Sequence, residues 1–141
     1  MATDAEAMTT LELTAFPHPW SHRQLAAELA QPSALGLVAH EADGALAGYV
    51  LLRRVLDEAE LLRLAVVRHR QRLGLATALV ERGLAELRAA GCATVFLEVR
   101  ADNAAAIGFY ERGGWHSAGR RPRYYPDGVD ALLYRRALAG P

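Results

Sequence analysis

The chain has 141 residues and a mass of 15.3 kDa, which suits one domain over 1–141 that buries a core without covalent staples. Lys plus Arg total 16 and Asp plus Glu total 16, so the zero formal net charge argues against gripping nucleic acid or an anionic membrane over a broad face, and 52% hydrophobic residues exclude a disordered chain. The one cysteine, Cys92, excludes an internal disulfide and a cysteine-rich zinc site; without a long apolar run or a basic-then-apolar leader, a reducing, cytoplasmic setting is expected.

In chain order, Asp4 to Ala15 is predicted helical, with Ala7, Met8, Leu11 and Ala15 at helical spacing. The segment Phe16-Pro17-His18-Pro19-Trp20 breaks it, because proline favours extended and turn backbone. Ser21 and Gln24 have capping-box spacing and open a second helix. Leu35 to His40 and Ala45 to Arg54 read as a hairpin around Asp43-Gly44. Glu60 to Val67 is a third strand, and Leu73 to Ala90 a long helix closed by Gly91. Ala93 to Val99 is a fourth strand; Asp102-Asn103 then offers an N-cap for a helix over Ala104 to Arg112, stopped by Gly113-Gly114. Trp115 to Gly119 and Val129 to Arg136 are the last two strands, joined by a Pro- and Tyr-rich loop. This order predicts an α/β domain with a mixed sheet flanked by helices, in which the third and fourth strands are parallel.

Two stretches carry candidate chemistry. Arg68-His69-Arg70-Gln71-Arg72-Leu73-Gly74-Leu75-Ala76-Thr77 joins an apolar strand to a long helix. The first turn of such a helix has free N–H groups and the positive end of the macrodipole, Gly74 admits an oxygen-rich group, and Arg68, Arg70 and Arg72 add charge. The pattern is neither a P-loop nor a dinucleotide fingerprint. In the other stretch, Glu98 interrupts an apolar strand near its C-terminal end, where open α/β sheets bind ligands. Taken singly, Glu98 also reads as a strand carboxylate paired with Arg100 or Arg63, Tyr110 as a core aromatic and Asn103 as a cap. Asn103 and Tyr110 lie two turns apart, about 10 Å along one helix face. His18, His22, His40, His69 and His116 form no metal-spaced set, so no metal is expected.

Five segments in order resemble the GNAT superfamily of N-acetyltransferases, closest to the bacterial ribosomal-protein-alanine type, RimI. They are Phe16 to Ser21, Leu56 to Leu61, Gln71 to Ala76, Leu97 through Asn103 to Glu111, and Tyr124 to Ala131. The resemblance implies the GNAT acyl-CoA N-acyltransferase fold and acetyl-CoA as acetyl donor. It implies that Arg72, Leu73, Gly74, Leu75, Ala76 and Thr77 bind the coenzyme pyrophosphate, that Leu64, Ala65 and Val66 pair with the pantetheine arm, and that Asn103 contacts that arm. Glu98 matches the family's general base and Tyr110 its general acid. An α-amine with a pKa near 8 must lose a proton before attacking an acyl carbon, and a leaving thiolate must gain one; a carboxylate and a phenol suit those tasks.

Trp20, Tyr124 and Tyr125 fall in loops that flank the acceptor entrance in the resembling enzymes, and the acids Asp57, Glu58 and Glu60 would favour a basic peptide. The implied partner is a protein or peptide N-terminus, a ribosomal alanine being the family's known case. A lysine side chain, a polyamine or an aminoglycoside is an alternative acceptor, and a non-catalytic acyl-CoA-binding module an alternative role. Two departures stand out. The family's usual strand ahead of the first helix is reduced to a stub at Met1 to Thr3, from a late start or a missing strand. Gly108 interrupts the last helix, which would let a cofactor or neighbouring helix come close.

Overall fold

Why these residues form these elements is largely a matter of caps and alternation. The computed structural model describes residues 2–71 and 74–138. Helix α1 spans Ala2–Ala15 and α2 His22–Leu29. Ser21 caps α2 through the expected reciprocal box: its hydroxyl accepts the Gln24 N–H at 3.1 Å, while the Gln24 side chain accepts the Ser21 N–H at 2.8 Å. Strands β1 (Ala34–His40) and β2 (Leu46–Val55) form the hairpin, turning at Gly44 with φ 92°. Strand β3 is Glu58–Val66, α3 Leu75–Ala89, β4 Thr94–Arg100, α4 Ala104–Arg112, β5 His116–Arg121 and β6 Ala131–Ala137.

The six strands form one sheet in the order β1-β2-β3-β4-β6-β5. Only β3 and β4 pair in parallel; the other neighbours are antiparallel. The mixed sheet and its parallel pair are therefore as expected. Among the described residues no strand precedes α1, and β1 forms one edge of the sheet. Strand β5 runs two residues past the predicted Gly119, because the β5–β6 ladder continues to Arg121↔Ala131. Strand β6 starts later than predicted because Val129 and Asp130 close the preceding loop: Tyr125 N–H donates to Val129 O and Arg123 N–H to Asp130.

Two apolar layers hold the sheet. On one face, Val95, Leu97 and Val99 of β4 and Ala59 and Leu61 of β3 pack with Leu79, Val80, Leu84 and Leu87 of α3 and with Tyr110 of α4. On the other, Met8, Leu11 and Leu25 from α1 and α2 cover Tyr49, Leu51 and Ala65. That second cover lies over β1, β2 and β3, while Phe96, Glu98, Arg100 and Leu133 on the β4–β6 half stay partly exposed. One face of the sheet is thus closed and the other half open. Cys92 is buried, its thiol pushed up by burial and donating to Glu58 O at 3.8 Å, which fits a packing role.

Candidate active site

The parallel ladder between β3 and β4 is short. It runs from Glu58↔Thr94 to Leu61↔Leu97 and stops, although β3 continues to Val66 and β4 to Arg100. At that point β3 carries a bulge: Leu51 faces Arg63 and Leu52 faces Leu61, so Leu62 is the extra residue. The bulge turns both Leu62 and Arg63 toward α1 and α2, while Leu64 and Val66 return to the α3 face. Since β2 pairs with β3 up to Val66, the edge left without a ladder by β4 is that of Leu62 to Val66. Leu64, Ala65 and Val66 thus sit in a notch whose backbone, without a ladder on the β4 side, can accept an added strand-like ligand.

The notch leads to the N-terminus of α3. Gly74 is the N-cap, with φ 84°, a region that L side chains rarely adopt. A Cβ built there would meet nothing within 4 Å among the described residues. Its carbonyl accepts the Ala78 N–H at 3.0 Å, and the N–H groups of Leu75, Ala76 and Thr77 belong to the first turn, which no helical carbonyl can satisfy. Thr77 also lines a cavity of about 150 Å³ between α3 and α4 with Glu81, Phe109 and Arg112. Arg72 and Leu73 lie outside the described residues. Arg70 is not a free charge for this loop. It donates to Glu41 from Nε at 3.0 Å and from its terminal nitrogen at 2.5 Å, and His69 Nε2 lies 2.6 Å from the same carboxylate. Those bonds, Arg70 first, hold Glu41 down to about 2. The β1–β2 hairpin therefore ties down Arg70, and Arg68 is left exposed.

Glu98 and Tyr110 stand on opposite faces of the sheet. Glu98 alternates with the core residues Leu97 and Val99, so its side chain points to the half-open face. There Tyr124 OH donates to its Oε1 at 3.4 Å and Arg121 Nε lies 3.3 Å from its Oε2. That Oε2 is shielded from solvent yet makes no hydrogen bond among the described residues. Neither expected partner is present: Arg100 bonds Asp102 and Asp127, and Arg63 bonds Glu12. Tyr110 is buried at 8% exposure, edge-on to Phe109 and Trp115 at 5.1 and 5.7 Å. Burial pushes its phenol well above the usual tyrosine range. No residue among those described hydrogen-bonds its hydroxyl.

Asn103 caps α4 by accepting the Ala106 N–H at 3.1 Å with its side-chain oxygen, which leaves its amide N–H groups for a ligand. Around Gly108 an added Cβ would meet only the Arg112 guanidinium, at 2.8 Å, so no neighbouring helix approaches there among the described residues.

Of the residues expected to meet the acceptor, the structure gathers some. Tyr124 and Tyr125 are edge-on at 5.2 Å, and Arg100 lies 4.9 Å over Tyr125, fixing the β5–β6 loop beside Glu98. Trp20 lies in the α1–α2 segment, 5.2 Å from the Arg63 guanidinium. Asp57 and Glu58 are not brought to Glu98. Glu58 pairs with Thr94, at the closed end of the β3–β4 ladder, four residues or about 13 Å down β4. Glu60 is nearer, on the same face as Glu98.

Sequence reasoning missed the buried group that anchors Trp20 and Arg63. Glu12, with 0% exposure, accepts from Arg63 Nε at 3.1 Å and its terminal nitrogen at 2.5 Å, from the Trp20 N–H at 2.7 Å and from Tyr49 OH. The available signal was a glutamate on the same helical face as Met8, and an arginine inside an apolar strand.

The sequence profile of the Acetyltransferase (GNAT) family matches residues 5–115. The ribosomal protein bS18-alanine N-acetyltransferase of Escherichia coli (strain K12) is 40% identical over 134 residues, covering 93% of this chain and 89% of its own. The crystal structure of the ribosomal-protein-alanine N-acetyltransferase from Escherichia coli matches with a TM-score of 0.91 at 38% identity, over 100% of this chain and 92% of that one. Ard1 from Thermoplasma volcanium matches with a TM-score of 0.89 at 27% identity, over 99% and 95%. No three His, Cys, Asp or Glu side chains converge as a metal site among the described residues, and no helix there is long and apolar enough to cross a membrane. With a notch beside β3, a glycine-capped helix end and this kinship, the chain belongs to the GNAT acetyltransferase family and is an acetyl-CoA-dependent N-acetyltransferase.

Proposed function

We propose that this enzyme acetylates the α-amine of a protein N-terminus, a ribosomal-protein alanine being the leading case. The observation that carries the reading is the pairing of a carboxylate on the open face with a buried phenol on the closed one, across the gap where β3 and β4 part. The names of the relatives supply the acceptor class.

Acetyl-CoA supplies an acyl carbon on a thiol leaving group. The backbone of Leu64, Ala65 and Val66 orients its arm, and the first-turn N–H groups of α3, together with Arg72 and Leu73, take its pyrophosphate. Asn103 offers its amide N–H groups to the arm. A backbone N–H near Val66 polarises the thioester carbonyl. Glu98 accepts the proton of the incoming ammonium, directly or through one water, and Tyr110 gives its proton to the departing sulfur. Burial suits Tyr110 to this task because it keeps the phenol protonated across the working pH range. Trp20, Tyr124 and Tyr125 form the walls around the entering terminus.

The test is coenzyme release with an Ala-starting peptide, screened beside a lysine side-chain peptide, a polyamine and an aminoglycoside. The α-amine peptide should be the best acceptor, and Glu98→Gln should lower its turnover by about a hundredfold or more. Preference for another amine overturns the acceptor, and full turnover by Glu98→Gln overturns the base.

A further inference from the structure

Beside Glu98, a second carboxylate on the open face has no hydrogen-bond or ion-pair partner among the described residues. Ala59 and Leu61 pack into the core on the α3 side, so Glu60 between them projects to the same face as Glu98. It stands between two arginines that are both engaged elsewhere. Arg53, its direct cross-strand neighbour on β2, is bidentate on Glu28 of α2, and Arg121 of β5 lies against Glu98. Along β4 its register partner is the uncharged Phe96. Glu60 itself makes no hydrogen bond or ion pair among the described residues, although it is half-buried. Three carboxylates, Glu28, Glu60 and Glu98, thus face two guanidiniums, and Glu60 is the one left over. Burial and then the Glu98 charge push its carboxyl upward against the smaller pull of Arg53 and Arg121, so a closer cation would relieve a cost.

We infer that Glu60 is a specificity residue, whose carboxylate binds a cationic side chain carried a few residues behind the amine that is acetylated. This rests on the protein N-terminus as acceptor. Glu60 pairs with Phe96, two residues before Glu98, so the backbones of the two glutamates are separated by about 8 Å, given a ~4.8 Å strand spacing and a ~3.3 Å rise. An extended peptide covers that distance in about two to three residues. With its amine at Glu98, a peptide running back over β3 therefore sets its second to fourth side chains near Glu60. An acidic side chain there would meet a like charge that no close ion pair among the described residues offsets.

The experiment measures kcat/KM for Ala-starting peptides that differ only by one arginine, glutamine or glutamate at the second, third or fourth position. The wild type should prefer arginine to glutamate at one of these positions. Glu60→Gln should shrink that ratio by about fivefold, the size of a part-exposed ion pair, and Glu60→Ala should do the same should the amide variant fold poorly. Because the ratio is taken within each variant, a loss of overall activity does not mimic the effect. No arginine preference in the wild type, or a ratio unchanged in both variants, overturns the role of Glu60. A wild type inactive on every peptide but active on another amine removes the N-terminal acceptor itself, a result distinct from either of those.

Discussion

At the scale of single residues, burial divides the candidate acid from the candidate base. Tyr110 is packed by Phe109 and Trp115, but its hydroxyl has no hydrogen-bond partner among the described residues. Among the described residues only Glu98 Oε2 is both sealed from solvent and unpartnered, so the Tyr110 oxygen keeps a path to solvent at the edge of a packed ring, where a ligand can meet it. Tyr110→Phe keeps the ring and removes only that oxygen. Stability by urea denaturation should stay within about 0.5 kcal/mol, while turnover falls by about a hundredfold. Loss of activity together with loss of stability would instead mark Tyr110 as a packing residue. Glu98 is the complementary case: it reaches the open face, held by Tyr124 and Arg121, where an amine can approach.

At the scale of elements, the ends of helices do two jobs. The Asn103 oxygen caps α4, and its amide N–H groups are the part proposed to meet the coenzyme arm. Asn103→Asp preserves an oxygen cap of equal rank and deletes the donors, whereas Asn103→Ala deletes both. The aspartate variant should therefore unfold like the wild type but show a raised KM for acetyl-CoA. The alanine variant should lose about 1 kcal/mol in addition. An aspartate variant with unchanged KM would reduce Asn103 to a cap. Such ends were legible in the sequence because caps are local: Ser21 with Gln24, Gly44, Asn103 and Gly114 all act within a few residues of themselves. The parting of β3 from β4 was not legible in the residues themselves and was implied only by the family resemblance. It depends on where a ladder between residues far apart in the chain stops, and the bulge at Leu62 leaves no mark in the apolar run that contains it. Arg70 was misjudged for the same reason, since Glu41 reaches it from another element.

At the scale of the molecule, the proposed acceptor wall and the proposed coenzyme strand are joined by one buried carboxylate. Glu12 of α1 links Arg63 of β3, Tyr49 of β2 and the Trp20 backbone, and Arg63 also lies 3.9 Å over the Phe16 ring. The carboxylate is fully buried and the Arg63 side chain only 16% exposed, so each charge relies on the other in a poorly solvated place. Such a pair contributes little net stability over apolar residues of the same size, but breaking it strands a charge. Glu12→Leu should therefore cost about 3–5 kcal/mol, with further loss because Tyr49 and Trp20 also lose their acceptor. Arg63→Met in that background should return part of it, so that a double-mutant cycle by urea denaturation gives a coupling of about 2 kcal/mol. The double variant should still lose acceptor affinity more than acetyl-CoA affinity, because the stranded Trp20 N–H frees the wall while the edge of β3 keeps its pairing to β2. Additivity within about 0.5 kcal/mol would show that Glu12 and Arg63 act apart, and equal losses for the two substrates would show that the network holds the whole sheet rather than the wall.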